Sequence, residues 1–303
     1  MTALKQDIAQ RIESLKSRIG NTPVCDLGNG IFAKIEGRNP AGSVKDRTAL
    51  YIVMRGLESG ALEEGGTVVE ATSGNTGIAL AYVGRELGLN TVICMPESMS
   101  LQRRAMISAY GAELVLTPSE YGMAGARSAA EKIVKERGAF LANQFGNTAG
   151  IDAHFETTAP ELFAQVADAE YIVAGVGSGG TAMGFGKFIE ENKMNCKVIA
   201  VEPSASPLMS EGYAAAHLIQ GIGANFLPEL VRCDKFFRIM TASDSEAIAT
   251  TKEIYSDFDI KCGISSGAAY AVAKRLRKET VGKIAVIFPD NGDRYGAELY
   301  ERN

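Results

Sequence analysis

Short apolar runs alternate with longer amphipathic stretches along most of the chain. Runs rich in Val and Ile fall at 67–71, 91–95, 113–117, 171–174, 197–202, 236–240 and 283–288, and read as strands buried on both faces. Between them, helical spacing is found at 44–59, 75–87, 101–110, 123–137, 157–167, 181–191, 244–256 and 265–278. Residues 1–19 read as a polar amphipathic helix with Ile8, Ile12, Leu15 and Ile19 on one side. Strands alternating with helices predict an open α/β fold with right-handed crossovers. At 303 residues the chain has room for two domains.

Composition narrows the classes. Hydrophobic residues make up 46% and charged residues 22%, as in an ordinary globular protein. Net charge is −5 and the basic residues are scattered, which argues against a nucleic-acid partner. No run of about 18 apolar residues is present, so no membrane span is expected. The front of the chain lacks the apolar centre of a signal peptide. Cys25, Cys94, Cys196, Cys233 and Cys262 are far apart and form no C-x-x-C, which suits reduced thiols in the cytoplasm. His154 and His217 are the two histidines, so no metal site is expected.

Two loops carry the candidate chemistry. Val68-Val69-Glu70-Ala71 runs into Thr72-Ser73-Gly74-Asn75-Thr76-Gly77 and then a helix. Ile172-Val173-Ala174 runs into Gly175-Val176-Gly177-Ser178-Gly179-Gly180-Thr181 and then a helix. Loops at the carboxyl ends of strands in an open α/β sheet bind ligands, and the N–H groups of a helix start bind anions. The chain thus offers an anion site in each half. The second loop also has the spacing G-x-G-x-x-G, with Glu202 where a ribose-binding acid would stand. A phosphate, a dinucleotide and plain tight packing are all compatible with that loop alone.

Two further matches fail. The stretch from Gly37 to Gly42 has the spacing of a nucleotide-binding P-loop, but Ser43 stands where lysine is required. Gly263-Ile264-Ser265-Ser266-Gly267 matches G-x-S-x-G, yet 257–261 is poorly patterned for a strand and no histidine follows position 217. Lys45 is different. A helical lysine is ordinarily a solvated charge. Here Asn39-Pro40-Ala41-Gly42-Ser43 is a turn that leads to a fixed helix start, and Ser43 with Asp46 resembles a capping box. Burial there would depress the lysine pKa and make the amine nucleophilic.

Gly42-Ser43-Val44-Lys45-Asp46-Arg47, the 72–77 loop, Gly177-Ser178-Gly179-Gly180-Thr181 and Gly263-Ile264-Ser265-Ser266-Gly267 stand in the order found in cysteine synthases. Ile19-Gly20-Asn21-Thr22-Pro23, Asn143-Gln144-Phe145, Val201-Glu202-Pro203 and Ile219-Gln220-Gly221-Ile222-Gly223 match as well. The chain after its first 18 residues therefore resembles the O-acetylserine sulfhydrylases of the β-family (fold type II) of pyridoxal-phosphate enzymes. Met95-Pro96-Glu97-Ser98-Met99-Ser100 with Arg103-Arg104, and Gly292-Asp293-Arg294-Tyr295, are closer to the B isozyme.

The resemblance implies two open, twisted, mostly parallel sheets flanked by helices. Residues 37–145 would form a smaller domain with a mobile, substrate-closing part over about 87–131, and 1–36 with 146–303 a larger one. It implies pyridoxal 5'-phosphate as cofactor, with Lys45 as the Schiff-base lysine and general base. Asn75 would bond the cofactor's ring oxygen. Gly177, Ser178, Gly179, Gly180 and Thr181 would cradle its phosphate, and Ser265 would partner its pyridine nitrogen. Thr72, Ser73, Thr76 and Gln144 would hold the substrate carboxylate. Glu202 then loses a ribose role and serves structure. The implied reaction makes L-cysteine from O-acetyl-L-serine and sulfide, in a cytoplasmic homodimer with serine acetyltransferase as a possible partner. The alternative is a related β-replacement or β-elimination using cysteine, serine or O-phosphoserine. Asn225 departs from the family pattern, which has glycine there, and the stretch 209–218 is shorter than usual. A nicotinamide oxidoreductase and a purely regulatory cofactor-binding relative are the readings from other classes.

Overall fold

The structure, a computed structural model, describes residues 5–301. It begins with α1 (Gln6–Arg18), β1 (Val24–Asp26), β2 (Ile31–Ile35) and α2 (Lys45–Ser59). Then come β3 (Thr67–Ala71), α3 (Asn75–Leu87), β4 (Asn90–Pro96), α4 (Leu101–Ala109), β5 (Glu113–Thr117), α5 (Gly122–Arg137) and β6 (Phe140–Leu141). A π turn at His154–Thr158 joins α6 (Ala149–Ala153) to α7 (Ala159–Gln165). The chain continues with β7 (Ala169–Gly175), α8 (Gly180–Glu191), β8 (Lys197–Pro203), α9 (Leu208–Glu211), β9 (Arg238–Ala242), α10 (Asp244–Phe258), α11 (Ile264–Arg277) and β10 (Lys283–Phe288).

The chain divides into two compact units. The first comprises residues up to Gly20, Asn39–Ala41 and Lys45–Gly150; the second comprises Asn21–Arg38, Gly42–Val44 and the rest from Ile151. The first holds a four-stranded sheet in the order β5-β4-β3-β6, parallel throughout. The second holds a six-stranded sheet in the order β1-β2-β10-β7-β8-β9, in which β1 alone runs antiparallel.

Continuous apolar runs arise because both faces of the sheets are covered. In β10, Ile284, Val286 and Phe288 pack with α10 and α11, while Ala285 and Ile287 pack with α7 and α8. In the first unit, Val69, Val92 and Cys94 pack against Ala126, Ala130 and Ile133 of α5. The 3.6-residue period of α1 buries Ile8, Ile12 and Leu15.

Several expectations need correction. The N-terminal helix is present at Gln6–Arg18, and residues 1–4 of the expected span lie outside the described ones. It belongs to the first unit and not with the larger domain, since its apolar face packs against α2 and α3, and Arg18 pairs with Glu86 of α3. The strand expected at 236–240 runs instead over Arg238–Ala242. The expected 157–167 helix is the end of a longer run from Ala149 interrupted by the π turn. Strands β1, β2 and β6 are additions. No described helix is long and apolar enough to cross a membrane.

Candidate active site

In the first unit, β3 ends at Ala71 and α3 starts at Asn75, so Thr72-Ser73-Gly74 form a tight strand-to-helix turn. Gly74 N–H donates to Thr72 Oγ1 at 3.3 Å, and Arg103 on α4 donates to the Ser73 carbonyl at 3.2 Å. A Cβ at Gly74 would meet nothing within 4 Å, so the turn faces open space. Early N–H groups of a helix have no intrahelical acceptor and favour an anion. Thr72 and Thr76 are buried beside that turn, and Asn75 opens the helix. Gln144 lies far along the chain, yet Thr76 Oγ1 donates to its Oε1 at 2.5 Å. The structure thus brings Thr72, Ser73, Thr76 and Gln144 into one cluster.

Lys45 is the first residue of α2. The turn before it is held by Asp46, whose Oδ2 accepts from the Ala41 N–H at 2.5 Å. The expected reach back over the helix start is therefore made by Asp46, to Ala41. In the second unit, Val44 N–H donates to Pro289 O at 2.7 Å, and Gly42 O accepts from Asn291 N–H and from Arg294 Nη1. Gly42 has φ +84°, and a Cβ there would come within 2.7 Å of Asn291 Nδ2. This strapping fixes the main chain immediately before Lys45. The Lys45 side chain keeps partial access to solvent, but the surrounding protein desolvates its ammonium and lowers its pKa to about 8.

In the second unit, β7 ends at Gly175 and α8 starts at Gly180. The intervening loop must be glycine-rich because neighbouring segments lie against it. A Cβ at Gly177 would collide with the Gly221 carbonyl oxygen, and one at Gly179, which has φ +91°, would come within 2.6 Å of Val231 Cγ2. Gly223 N–H donates to Val176 O at 3.0 Å, which locks the 219–223 segment against the same loop. Ser178 is buried, and Thr181 Oγ1 lies 3.2 Å from His154 Nε2. Ser265, 2% exposed, occupies the first turn of α11. Gly177, Ser178, Gly179, Gly180 and Thr181 thus form one continuous cradle at a helix start.

The rejected motifs are also explained. Gly263 makes room for Asp290 and Tyr295, and Gly267 for the Ala247 carbonyl of α10, so both glycines serve packing. Glu202 accepts from Met209 N–H at 2.7 Å, Ser210 N–H at 3.0 Å and the Ser210 hydroxyl at 2.6 Å. Its carboxylate caps α9, which explains it without a ribose. Asn225 is exposed.

Two side chains acquire importance only from the structure. His154 sits in the π turn with Nδ1 2.9 Å from Thr158 Oγ1, and Gly184 leaves the space that its Cβ fills. Glu70 is buried on β3 and accepts from Gln144 N–H at 3.0 Å. Burial pushes its pKa up to about 7, against the pull of the Gln144 and Ala71 N–H groups and of Arg127. The sequence signal for Glu70 is an acid inside an apolar strand run; for His154 it is rarity alone.

Comparison with known proteins agrees with this geometry. Residues 15–290 match the family described as pyridoxal-phosphate dependent enzyme. Cysteine synthase B of Campylobacter jejuni is 41% identical over 289 residues, covering 93% of this chain and 96% of that one. A cysteine synthase structure from Entamoeba histolytica superposes with a TM-score of 0.91 at 35% identity, covering 100% of this chain and 94% of that one. A hydrogen sulfide-producing enzyme from Fusobacterium nucleatum gives a TM-score of 0.88 at 34% identity, covering 93% and 99%.

Proposed function

This chain belongs to the family of pyridoxal-phosphate dependent enzymes, and we propose that within it the protein is a cysteine synthase that makes L-cysteine from O-acetyl-L-serine and sulfide. The observation that carries the reading is Lys45: a desolvated amine with a pKa near 8, at a helix start whose preceding backbone is strapped in place. The two cysteine synthases above set the substrate class.

The residues fit the cofactor. The 177–181 cradle has main chain where side chains cannot stand, and a helix start behind it, as a phosphate requires. We assign Gly177, Ser178, Gly179, Gly180 and Thr181 to the phosphate, Asn75 and Ser265 to the ring, and Lys45 to the covalent tether. When bound, pyridoxal phosphate supplies the electron sink that makes the substrate's α-proton removable and its β-substituent a leaving group.

The chain's own residues do the rest. Thr72, Ser73, Thr76 and Gln144, with the first N–H groups of α3, bind and orient the substrate carboxylate. Lys45 Nζ takes the α-proton and later returns it. At pH 7 a pKa near 8 leaves about a tenth of the amine neutral, roughly 300 times more than at its ordinary value. Arg103 ties α4 to the Ser73 carbonyl, so occupation of the carboxylate site is felt by α4. Movement of the 87–131 part over the substrate then excludes water from the reaction. Ser265 offers the ring a hydroxyl instead of a carboxylate, which favours prompt loss of the β-substituent over transamination. A cytoplasmic homodimer and a serine acetyltransferase partner are carried by the family likeness alone, and light scattering and co-purification test them.

The deciding experiment mixes the purified holoenzyme with O-acetylserine and sulfide and follows L-cysteine. No cysteine above the cofactor-only control ends this reading. The likeness to a hydrogen sulfide-producing enzyme supports a second one, release of sulfide from L-cysteine on the same residues. Rates for O-acetylserine, O-phosphoserine, serine and cysteine, compared side by side, separate the two.

A further inference from the structure

We infer that Glu70 is a positioning residue: its buried carboxylate stands in for a missing strand partner at Gln144 and so holds the Gln144 side chain against Thr76. This rests on the reading of Thr76 and Gln144 as ligands of the substrate carboxylate.

Strand β6 pairs with β3 over only two registers, Val68 with Phe140 and Val69 with Leu141. Ala142 N–H carries the ladder one step further, donating to Val69 O at 2.9 Å. Asn143 then adopts φ +49° and turns the chain away. A main-chain N–H that leaves a ladder in a buried place needs another acceptor. For Gln144, which is 5% exposed, that acceptor is Glu70 Oε2 at 3.0 Å. The other oxygen of the same carboxylate accepts from Ala71 N–H at 2.9 Å.

The turn is fastened on its far side too. Gly146 and Asn147 N–H donate to Asn143 O, and Asn147 Nδ2 donates to Ala142 O. With its main chain held at both ends, Gln144 presents its Oε1 to Thr76 at 2.5 Å. Thr76 is the second residue of α3, within the proposed carboxylate site. A direct line of bonds thus runs from Glu70 through the Gln144 backbone to the α3 start.

The residue type is informative. Two N–H donors converge on one side chain, and an ionised carboxylate accepts on both oxygens. Glutamine would turn its NH2 toward one of them. Arg127 on α5 and Cys94 on β4 are the charged and titratable groups that bear on Glu70. The Cys94 thiol is pushed up to about 11 and stays neutral in the working range. Ionisation of Glu70 itself, near pH 7, therefore sets how firmly Gln144 is held.

The test uses holoenzyme of the parent, Glu70→Gln, Gln144→Ala and the double variant, with KM for O-acetylserine and kcat measured from pH 5.5 to 8.5. Glu70→Gln is expected to raise KM about tenfold at pH 8, a lost charge-assisted bond, with kcat changed by less than about twofold. The gap to the parent should close below about pH 6, where the parent's Glu70 is itself protonated. The double variant should match Gln144→Ala, and cofactor affinity should be unchanged. If Gln144→Ala leaves KM unaltered, the carboxylate reading fails and this inference with it. If Gln144→Ala raises KM while Glu70→Gln does not, or the two effects multiply, or the gap is constant with pH, the role assigned to Glu70 is wrong and the carboxylate reading stands.

Discussion

His154 Nε2 lies 3.2 Å from the hydroxyl of Thr181, the last residue of the proposed phosphate cradle. The imidazole is fully buried, and its other nitrogen lies 2.9 Å from Thr158 Oγ1. The π turn at His154–Thr158 aims the ring, a use to which such turns are often put. Replacing His154 by Phe strands the buried Thr158 hydroxyl and the half-buried Thr181 hydroxyl. Stability should fall by about 2 kcal/mol, read by urea denaturation. Cofactor affinity should fall as well, because the Thr181 hydroxyl loses its orientation. A variant that is destabilised but binds the cofactor as the parent does would confine His154 to the fold.

Gly177 and Gly74 are glycines for opposite reasons, and alanine at each should behave oppositely. At Gly177 the added methyl meets the Gly221 carbonyl, so either the 219–223 segment or the cradle must shift. Gly177→Ala should cost about 1–3 kcal/mol and weaken cofactor binding at least about tenfold, measured by fluorescence titration of the cofactor-free protein. At Gly74 the methyl meets nothing within 4 Å. Gly74→Ala should keep the parent's melting temperature and cofactor affinity, yet raise KM for the amino-acid substrate by intruding on the proposed carboxylate site.

Lys45 in the cofactor-free protein should titrate well below an ordinary lysine. Burial disfavours its charged form and brings the pKa from 10.5 to about 8. Site-resolved labelling with an amine-reactive reagent, read by mass spectrometry across pH 6.5–11, should give Lys45 a midpoint near 8, well below the ordinary lysine value of 10.5. A Lys45 midpoint at the ordinary lysine value would remove the premise that it is available as a neutral base.

The sequence made legible what depends on local pattern. Strands buried on both faces read as apolar runs, so the centres of both sheets were visible, and the strand-loop-helix units placed the two candidate anion loops at strand ends. What escaped depends on distant partners. Strand β2 contains Lys34, whose buried ammonium is accommodated by Thr22 O at 2.7 Å, Glu161 at 3.0 Å and Gln165 at 2.7 Å. Nothing around position 34 announces acceptors more than a hundred residues away. Strand β6 has two residues and exists because β3 offers it an edge. The same logic covers the site. Thr76 and Gln144 were legible as motif members, but not the Glu70 carboxylate behind them, and Glu202 resembled a ribose ligand until its bonds to α9 were seen.

Glu70 also has a consequence for stability, with a sign opposite to that of most acids. Its carboxyl has a pKa of about 7 in the folded chain against 4.5 when solvated. Between those values the folded state holds a proton that the unfolded state has released. Stability contributed by that proton is complete below about pH 4.5 and is lost as pH rises through 7. A shift of this size corresponds to ~3 kcal/mol. Glutamine at position 70 does not titrate, so the parent should lose stability relative to Glu70→Gln on going from pH 5 to pH 8. Denaturant unfolding of the cofactor-free forms of both proteins across that range measures the difference directly. Parallel curves would mean that Glu70 keeps one protonation state across the range, and the pH dependence expected of its hold on Gln144 would fail with it.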